Sequence, residues 1–335
     1  MLAIRQEKER ADINILEKND PLTIIYRRLQ KKALMALNTK LLGLELKNPL
    51  ILSSGILGTT PGMLKLAEKG GAGAVTTKSI GVEKRDGHPN PIITEVDKGF
   101  INAVGLSNPG MEKGVEEIQR AKKTLKIPLI ASIFAFSLSD FEKVARKISE
   151  AGPDLIEVNI SCPNVEAEHG KPFATDPKAA GDVAKAVKKN SSVPFAIKLS
   201  PNVSDIKEIA KAVEGHADAI TAINTVGPGM KIDIDARKAI LANKSGGLSG
   251  PAIRPVAVKC VNDIRSVTKK PIIGTGGVTT GRDAIEMIMA GADAVGIGTG
   301  VFYRGPEVFA KAEKEMSDWL EKEKTTLEEI KGCVK

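Results

Sequence analysis

Two lysines, one cysteine and several glycine pairs carry most of the chemistry in this sequence. The segment Leu155-Ile156-Glu157-Val158-Asn159-Ile160-Ser161-Cys162-Pro163-Asn164 starts as an apolar strand, gathers amides, a hydroxyl and a thiol, and is stopped by Pro163. Buried polar groups need partners, so such a run is rare inside a strand and expected where a strand opens onto a ligand pocket. Amides and a hydroxyl around a thiol are the setting of a general base or a nucleophile. That separates Cys162 from Cys260, read as a small buried hydrophobe, and from Cys333 in the tail. Lys78 ends one strand, and Lys198 lies inside another, Phe195-Ala196-Ile197-Lys198-Leu199. A lysine flanked by apolar strand residues needs an anionic partner. Two readings follow: an ion pair inside the fold, or a cation facing a bound anion or an electron-rich ring.

Gly276-Gly277 and Gly298-Thr299 each follow a strand and precede a helix, and Ser249-Gly250-Pro251 offers a third helix start. Backbone N–H groups at such turns hold phosphate, and glycine lets the ligand come close. A phosphate site beside a strand lysine points to a flavin mononucleotide, whose reduced ring is negatively charged. His88 and His169 fall in loops. The three histidines and three cysteines lack metal-ligand spacing, so no metal site is expected.

These residues sit at the ends of a repeating pattern of apolar strand, polar turn and helix. Strands are expected at Pro49–Ser54, Ala72–Thr77, Pro128–Phe134, Leu155–Ile160, Pro194–Leu199, Ala219–Ile223, Pro271–Gly274 and Ala294–Ile297. Helices are expected at Pro61–Lys69, Ser139–Ala151, Pro177–Lys189, Val203–Gly215, Pro251–Thr268, Arg282–Ala290 and Pro306–Leu320. Short, continuously apolar strands are what a parallel sheet buried on both faces requires. Repeated alternation of this kind, with polar residues after nearly every strand, predicts an α/β fold, a (β/α)8 TIM barrel. Two long βα loops interrupt the rhythm. Residues 81–124 contain Asn102-Ala103-Val104-Gly105-Leu106-Ser107-Asn108-Pro109-Gly110, too rich in Asn, Gly and Pro for a helix there, and 226–250 are glycine-rich. Long loops on a barrel are where function is usually placed.

The 335 residues divide into an N-terminal basic helical extension over 1–38, a catalytic barrel over 39–323 and a helical tail over 324–335. The net charge of +8 is uneven: residues 1–40 hold nine Lys/Arg against five Asp/Glu. Two Tyr, one Trp and eight Phe, none interleaved with a basic cluster, make a poor nucleic-acid platform. Pro21–Leu37 reads as a basic amphipathic helix covering the barrel or a partner surface, with a membrane-surface anchor as the weaker reading. Met35 is an alternative start. No apolar run reaches the ~18 residues that span a bilayer, and no secretion-signal layout is present. A reducing cytoplasm fits the odd number of cysteines.

Taken together, Asn159-Ile160-Ser161-Cys162-Pro163-Asn164 resembles the active-site segment of the dihydroorotate dehydrogenase family. Thr77-Lys78-Ser79, Asn102-Ala103-Val104-Gly105-Leu106, Lys198, Asn224-Thr225, Gly276-Gly277 and Gly298-Thr299 resemble that family too, in order, from about Asn38 to Lys311. Cysteine at 162 looks like the soluble class 1 enzymes, and Gly246-Gly247-Leu248-Ser249-Gly250-Pro251 like the NAD-linked class 1B catalytic subunit. The resemblance implies oxidation of (S)-dihydroorotate to orotate in pyrimidine (UMP) biosynthesis. Cys162 would remove the C5 proton while C6 passes a hydride to FMN. It places the FMN phosphate on Gly250, Gly276, Gly277, Gly298 and Thr299. Ser54, Gly55, Lys78, Ser79, Asn159 and Lys198 would line the ring, with Ser132 where relatives often carry asparagine. Substrate would be held by Lys78, Asn102, Val104, Gly105, Leu106, Asn159, Asn164, Asn224 and Thr225, since a dihydropyrimidine edge offers both donors and acceptors. The chain has no GxGxxG fingerprint and no cysteine cluster. The resemblance therefore implies a partner subunit carrying FAD and [2Fe–2S] that passes electrons to NAD+, joined to a homodimer as a heterotetramer. Residues 1–37 have no counterpart in typical class 1 enzymes. Alternatives are a quinone- or fumarate-linked dihydroorotate dehydrogenase, a related dihydropyrimidine dehydrogenase, or a non-catalytic phosphate-binding barrel.

Overall fold

The structure, a computed structural model, describes residues 37–161 and 173–334. Residues 1–36, nearly all of the N-terminal extension and of the helix expected over Pro21–Leu37, lie outside the described residues, as do Cys162, Asn164 and His169.

Eight parallel strands close into the barrel that the alternation predicts. They are β1 (Leu50–Leu52), β2 (Ala74–Thr76), β3 (Leu129–Ile133), β4 (Leu155–Asn159), β5 (Phe195–Leu199), β6 (Ala219–Ala222), β7 (Ile272–Thr275) and β8 (Ala294–Ile297). Closure runs from β8 back to β1, with Val295 opposite Leu50 and Ile297 opposite Leu52. The packed helices are α1 (Pro61–Lys69), α2 (Met111–Thr124), α3 (Leu138–Glu150), α4 (Pro177–Asn190), α5 (Ile206–Glu214), α6 (Arg254–Arg265), α7 (Gly281–Met289) and α8 (Val308–Glu323). Their sequences explain their faces. In α3, Phe141, Val144, Ala145 and Ile148 recur at helical spacing and are buried, while Ser137 caps the start by accepting from Asp140 N.

Several expected boundaries move. The 81–124 connection ends in a regular helix, α2, whose Gly114 reads as a breaker but fits because a Cβ there would lie 2.8 Å from Ile80 Cγ2. The segment expected as one helix from Pro251 begins with a 3-10 turn, Pro251–Ile253, ahead of α6. A short helix, Gly300–Arg304, precedes α8, and the tail contributes only Leu327–Ile330.

The two ends of the barrel differ. At the N-terminal end a hairpin, Thr39–Leu41 with Leu44–Leu46, drives Leu41 and Leu46 against Ile51, Ala74, Ile130, Leu155, Ile273 and Ala294. Apolar packing seals that end. At the opposite end the two long βα loops build an antiparallel sheet in the order Val226–Gly229, Gly246–Ser249, Gly99–Asn102, Ile93–Val96. Gly247 pairs with Asn102 and Ser249 with Phe100. Glycine is required at this crossing: a Cβ at Gly246 would sit 2.3 Å from Asn102 O, and one at Gly247 2.0 Å from Thr225 Oγ1. Among the described residues no helix is long and apolar enough to cross a membrane.

Candidate active site

Successive strand residues face opposite ways, so Leu155, Glu157 and Asn159 all point into the barrel, from the sealed end to the open one. Above this polar layer the described residues enclose a cavity of about 1020 Å³, large for a small-molecule site. Ser54 and Gly55 after β1, Lys78 and Ser79 after β2, Asn159 and Lys198 line it. So do Asn102, Val104, Gly105 and Leu106 of the first long loop, and Asn224 and Thr225 after β6. Gly250, Gly276, Gly277, Gly298 and Thr299 complete the wall. Ser132 is placed differently from the expectation: it is fully buried below the cavity and shares a 2.8 Å hydrogen bond with Ser79 Oγ.

Asn159 Oδ1 accepts from Ser161 N at 3.0 Å and from Asn224 Nδ2 at 3.2 Å. Asn224 Oδ1 accepts in turn from Thr225 N at 2.8 Å. Both amides are thereby oriented, with donor capacity left over. Asn102 is held at the sheet crossing, its Nδ2 donating to Gly247 O at 3.3 Å. His88, placed in a loop by sequence, braces this segment: its N donates to Val104 O at 3.1 Å, and its ring Nδ1 lies 3.1 Å from Ala103 O. Gly105 at φ +76 and Leu106 at φ +58 make the left-handed turn that follows.

The two lysines have different surroundings. Lys198 Nζ donates to Glu157 Oε1 at 3.3 Å and to Ser54 Oγ at 3.2 Å, so an ion-pair partner is present while the side chain still borders the cavity. The sequence reading asked for such a partner without naming it. Glu157 was identifiable as the inward residue two positions before Asn159, on the strand paired with β5. Lys78 Nζ has no partner among the described residues, and burial lowers its pKa from the ordinary lysine value of 10.5. An unpaired ammonium at a cavity wall favours an anionic ligand.

The glycine wall is tied down from behind. Asp283, opening α7, accepts from Thr279 N, Thr279 Oγ1 and Thr280 N at 3.0, 2.8 and 2.9 Å, and pairs with Arg254 of α6. Arg304 is engaged by Glu315 and Thr279 O. These arginine charges are met by carboxylates, whereas nothing among the described residues accepts from the N–H groups of Gly276, Gly277, Gly298 or Thr299. A Cβ at Gly298 would have only Ser53 and Ile56 near it, at 3.6 Å and beyond. Protein packing does not demand glycine at this position, whereas a ligand pressed against the backbone would. Unused N–H donors around such a glycine suit a phosphate. Among the described residues no three His, Cys, Asp or Glu side chains gather as a metal site.

Comparison with known proteins shows the family. The sequence profile of the family described as Dihydroorotate dehydrogenase matches residues 36–320. Similar proteins include the "Dihydroorotate dehydrogenase B (NAD(+)), catalytic subunit" of Methanocaldococcus jannaschii, 50% identical over 300 residues, 88% of this chain and 97% of that one. The protein of the same description from Thermoplasma acidophilum is 48% identical over 288 residues, 86% of this chain and 95% of its own. That from Pyrococcus abyssi is 44% identical over 288 residues, with the same two shares.

Proposed function

The chain belongs to the dihydroorotate dehydrogenase family, and on that premise we propose that it is the catalytic subunit of an NAD-linked enzyme oxidising (S)-dihydroorotate to orotate in pyrimidine biosynthesis. The observation that carries this reading is the unpaired Lys78 ammonium, sharing one cavity with three oriented amides and a wall of unused glycine N–H groups. A carboxylate-bearing ring that offers both donors and acceptors fits the first group. A phosphate-bearing flavin, FMN, fits the second.

Bound FMN would supply the hydride acceptor for substrate C6. The chain's own residues do the rest. Lys78 neutralises the substrate carboxylate. Asn102, Asn159, Asn224 and Thr225, with Asn164, hold the ring amides, while Val104, Gly105 and Leu106 form the loop against its edge. Gly250, Gly276, Gly277, Gly298 and Thr299 hold the phosphate. Ser54, Gly55, Ser79 and Lys198 border the ring, and Ser132 acts on it through Ser79. Cys162 takes the C5 proton. A base that must remain a free thiol belongs in a reducing cytoplasm.

The acceptor side is inferred from the relatives, whose names specify NAD(+) and a catalytic subunit. We assign onward transfer to a partner carrying FAD and [2Fe–2S], joined to a homodimer of this chain as a heterotetramer. Residues 39–323 form the catalytic unit, with 1–38 and 324–335 as appendages. The test is an acceptor assay: the isolated chain should form orotate with a dye but reduce NAD+ only after the partner is added. Efficient quinone reduction by the isolated chain would favour the quinone-linked alternative.

Lys78 gives this reading a pH signature. Only its charged form holds the carboxylate, and burial lowers its pKa below 10.5. Substrate affinity should therefore be full at neutral pH and fall as pH rises through the lowered pKa. KM for dihydroorotate, followed against pH, should begin rising about tenfold per unit before pH 10.5. Lys78→Arg, which stays charged throughout, should remove that rise, and an identical alkaline rise in the variant would contradict the assignment.

A further inference from the structure

Glu157 has no task in the reading above, although its position is costly. It is 4% exposed, and its Oε1 accepts both from Lys198 Nζ and from Ser132 Oγ, each at 3.3 Å. Apolar side chains of similar volume fill barrel interiors without the desolvation cost of a buried ion pair. This layer is nevertheless polar. Beside Lys198 in register on β6, the buried Thr221 hydroxyl has no partner among the described residues. Lys198 is held from two sides, by Glu157 within the barrel and by Ser54 at the cavity wall. An ammonium has three protons to donate, so one remains after these two contacts.

We propose that Glu157 is a positioning residue that fixes the Lys198 ammonium toward the flavin ring and, through its own negative charge, offsets part of that cation's pull, thereby setting the flavin's reduction potential. The inference rests on the flavin reading above. Two electrons and one proton leave a flavin with one added negative charge on its ring. A lysine cation close by favours that product, and a carboxylate behind the lysine opposes it. The ion pair therefore tunes the potential between what an unpaired lysine and no lysine would give. Glu157→Gln keeps the shape and a carbonyl oxygen able to accept from Lys198 and Ser132, and replaces the second carboxylate oxygen with a neutral amide nitrogen, so the charge is lost.

The test uses the flavin-loaded full chain, reduced anaerobically in equilibrium with a reference dye and without substrate. Glu157→Gln should raise the ratio of reduced to oxidised flavin at a given dye poise by tenfold or more, a positive shift of about 30 mV for a two-electron couple. Glu157→Asp keeps the charge but draws the carboxylate back. It should hold the potential near that of the parent while hydride transfer from dihydroorotate slows several-fold. An unchanged or more negative potential in Glu157→Gln would overturn the proposal. So would a Glu157→Asp protein with parental potential and parental reduction rate, which decides the matter if the Gln variant fails to fold. Failure of the parent chain to bind flavin at all would instead refute the flavin reading.

Discussion

Replacing Cys162 by alanine is expected to slow reduction of the bound flavin by dihydroorotate by up to roughly 10⁴-fold, with the flavin still bound. A proton on C5 leaves only if a base takes it, and the thiol in Asn159-Ile160-Ser161-Cys162-Pro163-Asn164 is the base this segment offers. Free thiols ionise near ~8.5, so most of the population is protonated at neutral pH. Flavin reduction in the parent chain should therefore accelerate as pH rises through the thiol's ionisation. In Cys162→Ala that rise should vanish together with the rate. Rapid-mixing absorbance under anaerobic conditions separates this step from transfer to any acceptor. An alanine variant that reduced its flavin at the parental rate would remove Cys162 from the mechanism.

Gly298→Val should abolish flavin binding while sparing the fold. A Cβ there comes no closer than 3.6 Å to Ser53 Cβ and 3.9 Å to Ile56 Cγ1, so the protein itself has room for it. The side chain would enter the cavity where the phosphate is expected. An affinity loss of at least about 100-fold, roughly 2.7 kcal/mol, should accompany an unchanged thermal midpoint. Gly277 makes a poor substitute for this experiment. Its φ is +75, and a Cβ would press to 2.7 Å from Arg254 Cβ, so any replacement strains the loop whether or not a ligand binds. A yellow Gly298→Val protein with parental flavin affinity would move the phosphate elsewhere.

Much of this arrangement was legible in the sequence because barrels put information where local patterns can carry it. Runs such as Leu50–Leu52 and Phe195–Ile197 are continuously apolar because both faces of the sheet are covered. The polar residues that follow them mark the open end. What local pattern cannot show is pairing across distance. The sheet over the mouth joins Asn102 to Gly247, and its strands are so rich in glycine that propensity argues against them. The helix α2 was not expected because it starts at Met111, directly after the Asn-, Gly- and Pro-rich run that argues against a helix. Glu157 is a different case. The alternation that placed Asn159 at the mouth also placed Glu157 inside, next to a lysine in need of an anion.

The most direct measurement of the central claim is an anaerobic titration of the purified, flavin-loaded chain with dihydroorotate, followed by flavin absorbance and orotate formation. The account predicts bleaching that is complete at about one equivalent of substrate per flavin, with one orotate released for each flavin reduced. A flavin that stays oxidised in excess dihydroorotate, or bleaching without orotate, would contradict it.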